Sequence, residues 1–212
     1  TPGHADFSED TYRVLTAVDC AVMLIDAAKG LEPQTLKLFQ VCRHRRIPIL
    51  TVINKWDRPG RHALDLLDEI HDRIGLKPTP LTWPVGIAGD FKGVLDRRSG
   101  NFIRFTRTAG GATSAPEKRL APDEVEENDA LVWANAVEEH ELLSLDGADH
   151  DQARFLAGET TPVMFASALQ NFGVAQLLNL LLDLAPGPGA TPGVDGSVRQ
   201  VDDDFSAFVF KV

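Results

Sequence analysis

Cysteine is scarce in this chain of 212 residues, which holds Cys20 and Cys42 alone. They lie in apolar or helical contexts, with no Cys-x-x-Cys pair and no histidine at ligand spacing. Neither a zinc site nor a disulfide framework is indicated, and a reducing cytoplasm is the expected setting. No apolar run approaches the ~18 residues of a membrane-spanning helix, which excludes an integral helical membrane protein. No positively charged, apolar leader opens the chain, and no initiator Met either; Thr1 stands inside a motif. The composition, 43% apolar and 25% charged, rules out a disordered polymer and a fibrous repeat. At ~100 to 200 residues per domain, the length allows one good-sized domain or a domain plus a fragment.

Lysine and arginine are absent between Asp123 and Ala153, where eleven carboxylates accumulate. That stretch carries −11, so within a formal total of −10 the remainder sums to +1. Residues 92 to 119 lean the other way, to a net +5 that includes Arg97, Arg98 and Arg104. A mean negative charge repels phosphate backbones and by itself argues against nucleic acid. Here the anionic character is local, so that argument does not extend to the rest of the chain.

The apolar runs Ala21 to Asp26 and Pro48 to Ile53 read as parallel strands buried on both faces. A helix carrying Phe7, Tyr12, Val14, Leu15 and Val18 is expected before the first. Another is expected from Pro33 to Arg46, and a third from His62 to Ile74, closed by Gly75. Alternating helices and strands predict a doubly wound α/β sheet. From about Asp90 the pattern changes: two short strands flank Arg97 to Gly100 as a hairpin, a loop is expected from Ala109 to Pro122, and an acidic helical stretch follows. Pro162 to Ala166 restores a buried strand and Val174 to Leu184 an amphipathic helix. The predicted organisation is an α/β domain over 1–186 with an insert at about 90–160, then a linker over 187–203 rich in Pro and Gly. An alternating segment at 204–212 reads as the start of a β module.

Asn54-Lys55-Trp56-Asp57 ends a predicted buried strand, where ligands of open α/β sheets bind. A carboxylate at Asp57 can accept from both N1–H and the 2-amino group of guanine. Adenine offers an acceptor at N1 and no 2-amino group, a mismatch of about 1 to 3 kcal/mol or more. The stem of Lys55 can lie over the purine plane, and Asn54 can tie the loop to its neighbours. As a bare tetrapeptide the motif is mostly a surface loop, and its place after an apolar strand is what favours the guanine reading. Thr1-Pro2-Gly3-His4 is an ordinary turn taken alone. Beside the first motif it reads as a switch, in which Gly3 lets its backbone N–H approach a γ-phosphate and His4 holds an attacking water. Ser167-Ala168-Leu169 follows the strand at 162–166, where a small residue lets a backbone N–H face guanine O6. His44, His62, His71, His140 and His150 are expected at the surface, Trp83 and Trp133 in packing. The Arg97/Arg98 hairpin tip is either an RNA contact or a solvated turn.

These three motifs together resemble the translational GTPases, the group that contains elongation factor G. Further segments, among them Asp6 to Arg13, Ile25 to Gly30, Thr82 to Gly86, Phe91 to Val94, Phe155 to Glu159 and Asn171 to Val174, are similar to the class II, GTP-dependent branch that acts in translation termination. The resemblance spans nearly the whole chain except its basic-to-acidic middle. It implies an α/β fold: a P-loop GTPase-type, mostly parallel sheet flanked by helices, with an inserted α+β subdomain and the first strand of a following β-barrel. It implies a ribosome-dependent GTPase using GTP/GDP and Mg²⁺, with the ribosome, its RNA and codon-reading release factors as partners, acting as a monomer in the cytoplasm. It implies His4 as the catalytic residue, and Thr1, Pro2, Gly3, His4, Asn54, Lys55, Trp56, Asp57, Ser167, Ala168 and Leu169 as the GTP-binding set. A translocation or ribosome-protection GTPase and a nonhydrolysing nucleotide-binding or scaffold fragment are the alternative readings.

No Gly-x-x-x-x-Gly-Lys-Ser/Thr occurs in the 212 residues, so no backbone cradle, phosphate lysine or Mg²⁺ hydroxyl is supplied by this stretch. The family's metal ligands are expected upstream of Thr1. Residues 1–212 by themselves are therefore predicted to bind GTP poorly and hydrolyse none. Calorimetric titration checks this, and tight GTP binding by the isolated stretch contradicts it.

Overall fold

The computed structural model describes residues 14–15, 17–106, 116–193, 195–205, 207 and 209. Thr1, Pro2, Gly3 and His4, and most of the helix expected before the first strand, lie outside the described residues. One sheet is parallel throughout and is formed by β1 (Ala21–Asp26), β2 (Ile49–Asn54), β3 (Lys77–Pro80) and β8 (Thr160–Phe165). Its strand order is β1-β2-β8-β3. Parallel neighbours need crossovers, and helices α1 (Pro33–His44) and α2 (Ala63–Ile74) provide the first two. Pro33 sits in the first turn of α1, where its missing N–H costs nothing. Helix α2 buries Ala63, Leu66, Leu67, Ile70 and Ile74 and stops at Gly75, whose φ of 73° is left-handed, a cap that glycine adopts without steric cost.

β2 is the central strand of the site, and Ile49 to Ile53 are all buried. β1 differs from the expectation of burial on both faces: Val22 and Leu24 are 38% and 55% exposed. Among the described residues β1 pairs with β2 alone. The apolar cluster on that face, built from Leu50, Val52, Met164 and helix α5 (Val174–Leu184), contains no buried residue of β1. Within the sheet a threonine network crosses the strands. Thr51 and Thr161 hydroxyls are 2.8 Å apart, and Thr161 donates to the Ile49 carbonyl at 2.7 Å. Their burial is thereby satisfied.

The chain leaves this sheet at Leu81, whose N–H still donates to Val163 O at 2.8 Å, and enters an antiparallel sheet. Its strands are β4 (Thr82–Val85), β5 (Gly93–Asp96), β6 (Asn101–Phe105) and β7 (Glu117–Leu120), in the order β4-β5-β6-β7. The hairpin turns at Gly100, with φ 74°. β7 falls inside the stretch expected to be loop. Glu117-Lys-Arg-Leu120 buries only Leu120, so pairing to β6 imposes the strand without help from side-chain pattern. Helix α3 (Ala130–Leu145) packs on this sheet through Trp133, which stacks on Phe102 with centroids 5.4 Å apart, and α4 (Gln152–Leu156) leads into β8. Trp83 and Trp133 are buried packing residues. A two-stranded ribbon, β9 (Thr191–Pro192) with β10 (Val198–Arg199), lies within the stretch expected to be linker. Of residues 204–212, those described are outside strands. No helix among the described residues is long and apolar enough to cross a membrane.

The acidic and basic segments answer each other. Arg104 Nε donates to buried Asp129 at 2.6 Å, and Lys118 reaches Glu126 at 3.4 Å. Arg97 is no RNA contact, because its side chain is only 4% exposed. It donates to the carbonyls of Pro80 and Ala148 at 2.7 and 2.9 Å, to Ser144 Oγ and Asp149 at 2.9 Å, and to His140 Nδ1 at 2.9 Å. Burial, and then the Arg97 charge, push the His140 imidazole pKa down, which keeps that nitrogen an acceptor; His140 is half-buried rather than a plain surface residue. Arg98 pairs with Asp183 on α5 at 3.2 Å. Replacing Arg97 by Met strands two carbonyl acceptors and is expected to cost about 2 to 4 kcal/mol of stability. Urea unfolding measures it. A loss below about 0.5 kcal/mol, the range of an ordinary surface substitution, would show that the guanidinium does not hold this junction.

Candidate functional site

Register brings the candidate residues together. Asp26 pairs with Asn54 across β1 and β2, and Ile53 with Phe165 across β2 and β8, so three loops leave the sheet side by side at its carboxyl end. Asn54 Oδ1 accepts the N–H of Ala168 at 3.0 Å, a direct clasp between the Asn54–Asp57 loop and the Ser167–Leu169 loop. Backbone bonds reinforce it: Trp56 N–H donates to Ala166 O at 3.1 Å and Ala166 N–H to Ile53 O at 2.9 Å.

Lys55 follows in the left-handed region, φ 67°, a conformation that costs a side-chain-bearing residue energy and is held by its surroundings. Arg58 N–H closes the turn onto Lys55 O at 3.0 Å. The ammonium of Lys55 lies 2.8 Å from Asp26 Oδ2. Oδ1 of the same carboxylate accepts from Ala28 N–H at 2.9 Å and Lys29 N–H at 3.3 Å. Partial burial raises the carboxyl pKa, but the Lys55 hydrogen bond and the two amides outweigh it, and the group lies below the ordinary aspartate range. Asp26 was not among the residues singled out from sequence. Its place as the acid ending the first apolar run was the available signal.

Trp56 joins the strand-end loops through its backbone N–H. Its ring is buried in the core, edge-on to Phe165 at 4.8 Å, and Phe165 in turn meets Trp83 at 5.3 Å. Asp57 is half-buried, and its Oδ1 is closed off from solvent without a hydrogen-bond partner. Such an atom is unusual in a folded protein and calls for a donor. Ser167 is fully buried; its N–H goes to Phe172 O at 3.0 Å and its Oγ accepts from Gln170 N–H at 3.4 Å. Of the loop expected to present a backbone N–H to a purine oxygen, the amides of Ser167 and Ala168 are both engaged within the protein. Leu169 stands 67% exposed at the loop tip. Gly173, φ 77°, starts α5 where a Cβ would stand 2.9 Å from Phe165 O, so the chain can pass this close to the end of β8 only as glycine.

A cavity of about 340 Å³ lined by Trp56, Arg61, His62, Ile87, Asn135 and Glu139 includes none of Asp26, Asn54, Asp57 or Ser167, and is separate from the strand-end cluster. Among the described residues, no group of three or more His, Cys, Asp or Glu side chains is placed to hold a metal ion.

The elongation factor Tu GTP binding domain family matches residues 1–187. Among curated proteins, peptide chain release factor 3 of Symbiobacterium thermophilum is 48% identical over 215 residues, covering 100% of this chain and 41% of that protein. Peptide chain release factor 3 of Gloeobacter violaceus is 49% identical over 221 residues, with 100% and 40% covered, and that of Staphylococcus haemolyticus 47% over 213 residues, with 100% and 41%. The chain thus spans about two fifths of the length of the curated relatives it matches. A crystal structure of a Thermus thermophilus protein shares the fold, with a TM-score of 0.64 at 24% identity over 89% of this chain and 30% of the other.

The clasp has a direct test. Asn54→Ala removes the acceptor of the Ala168 amide and should cost about 1 to 2 kcal/mol, with hydrogen exchange at Ala168 accelerating about tenfold or more. An Ala168 amide that stays equally protected would show that the two loops are held by backbone bonds alone.

Proposed function

Because the chain belongs to the elongation factor Tu GTP-binding domain family, we propose that it forms the guanine-nucleotide part of a ribosome-dependent GTPase acting in translation termination, which promotes dissociation of codon-reading release factors after peptide release. The observation that carries the guanine part is the closed-off, unpartnered Oδ1 of Asp57 at the carboxyl end of the sheet. Identities of 47 to 49% to proteins named peptide chain release factor 3 support the termination part.

In this reading Asp57 accepts from N1–H and the 2-amino group of guanine. The Lys55 stem covers one purine face, and Asn54 with Ser167 to Leu169 forms the wall of the pocket. The base pocket fits its ligand because the donors that Asp57 lacks are those guanine carries. Thr1, Pro2 and Gly3 belong to the γ-phosphate switch. His4, ordered by ribosomal RNA, positions the water that attacks the γ-phosphorus; the bond to the β-phosphate oxygen breaks, and GDP and phosphate leave. Mg²⁺ bound with the nucleotide would neutralise phosphate charge; among the described residues no cluster of three or more His, Cys, Asp or Glu side chains would hold it. Residues 1–186 are the GTP-binding part with its insert at about 90–160, 187–203 the linker and 204–212 the start of a barrel. The protein works in the cytoplasm, as a monomer on the ribosome.

Asp57→Asn replaces one acceptor by a donor. In the intact protein, ribosome-stimulated hydrolysis should fall about 100-fold or more with GTP and reappear with xanthosine triphosphate, whose 2-oxo group accepts that donor. GTP use at the unmodified rate would remove Asp57 from the base pocket. A base switch without any ribosome stimulation would retain the pocket and overturn the ribosome-dependent reading.

A further inference from the structure

We infer that Asp26 is a positioning residue for nucleotide binding: by holding the ammonium of Lys55 it lays the stem of that side chain across the purine position, an assignment that rests on the guanine reading of the site.

The pair joins two loops that are 29 residues apart in sequence and adjacent through the Asp26 to Asn54 register. The anchor is fixed before lysine arrives. Asp26 is 14% exposed in its side chain, and two turn amides hold its Oδ1, so Oδ2 has one direction in which to present its charge. Lys55 is the opposite kind of group. Its side chain is 49% exposed, on a flexible stem that would otherwise populate many rotamers. Exposed ion pairs add little to folding, so the contact is poorly explained as a stabilising one. Its consequence is order: an immobilised stem spares the nucleotide the cost of ordering it on binding. The left-handed backbone at Lys55 sets the direction in which the side chain starts, and Asp26 sets where it ends. The work is divided: Asp57 selects the base, and the Asp26–Lys55 pair sets how long it stays.

The competing role for Asp26 is a turn cap and nothing more. Asp26→Asn separates the two, because an amide oxygen can still accept from Ala28 and Lys29 while the second position turns from acceptor to donor and loses its charge. The probe is release of N-methylanthraniloyl-GDP from the intact protein, followed by stopped flow, in a double-mutant cycle with Lys55→Met, which keeps most of the stem and deletes the ammonium. Asp26→Asn should speed release about three- to tenfold when Lys55 is present and less than about 1.5-fold in the Lys55→Met background, since positions that act through one another do not add. Equal effects in both backgrounds, or no effect with Lys55 present, overturn the inference. Asp57→Asn, assayed alongside for its switch to xanthosine nucleotides, separates the two failures. If it switches the base while Asp26 and Lys55 act additively, the positioning role alone falls. If it does not switch, the guanine reading falls and this inference with it.

Discussion

The strand-end site depends on one constraint, the parallel pairing of β2 with β1 on one side and β8 on the other. Parallel strands all finish at the same edge, so Asp26, Asn54 and Phe165 end level and their loops must meet there. Antiparallel neighbours would send alternate loops to opposite ends. The pairing also demands a β2 that can be buried throughout, which Ile49 to Ile53 supply, with Thr51 tolerated because Thr161 satisfies its hydroxyl. Once the register is set, the hydrogen bond from the Ala168 N–H to Asn54 Oδ1, with the backbone bonds beside it, closes two loops from distant parts of the chain.

What lies behind the site is aromatic. Phe165, ending β8, meets both Trp56 after β2 and Trp83 of β4, while Phe172 beside α5 stacks on Phe105 of β6 at 4.9 Å and lies 6.1 Å from Phe91. Edge-on and stacked ring pairs have preferred geometries and add about 0.5 to 1.5 kcal/mol each beyond the area they bury. The antiparallel sheet therefore acts as a buttress against the loops that carry Asp57 and Ser167. Its own attachment is polar: Arg97 draws Pro80, helix α3 and the loop at Ala148 and Asp149 onto one guanidinium. The strongly acidic stretch that dominates the net charge is in part the counterpart of this basic segment, as Asp129, Glu126 and Asp149 show.

Strand β2, helix α2 and the α/β order were legible because each rests on a local pattern that tertiary context does not override: a six-residue apolar run, a 3.6-residue stripe and a glycine cap. β3 and β4 were not, since Pro78, Pro80 and Pro84 argue against strands wherever position in the sheet is unknown; β3 lies at an edge, where proline is tolerated. β7 carries almost no apolar signal. The exposure of Val22 and Leu24 could not be read because an apolar run reports what a strand can bury, and not which neighbours it has. In the site, Asn54, Asp57 and Ser167 were visible as motifs, and the core-facing ring of Trp56 was not, because the strand-end turn rotates it away from the loop's polar side. Asp26 meets Lys55 only through register, and Arg97 looked like an exposed hairpin tip until the packing of α3 enclosed it.

In the proposed pocket, selectivity would rest on how the hydrogen-bond acceptors at the strand ends are distributed. Asp26 spends both oxygens on Ala28, Lys29 and Lys55. Asn54 spends its oxygen on Ala168, and Ser167 takes Gln170. These groups shape the loops and have little left to offer a ligand. Asp57 keeps an oxygen shielded from water and unpaired, which costs the fold about 1 to 3 kcal/mol. A purine bearing two adjacent donors relieves that cost, and one presenting an acceptor there does not. Selectivity in the proposed pocket thus follows less from adding contacts than from committing Asp26, Asn54 and Ser167 to the loops while Asp57 keeps an unpaired carboxylate oxygen.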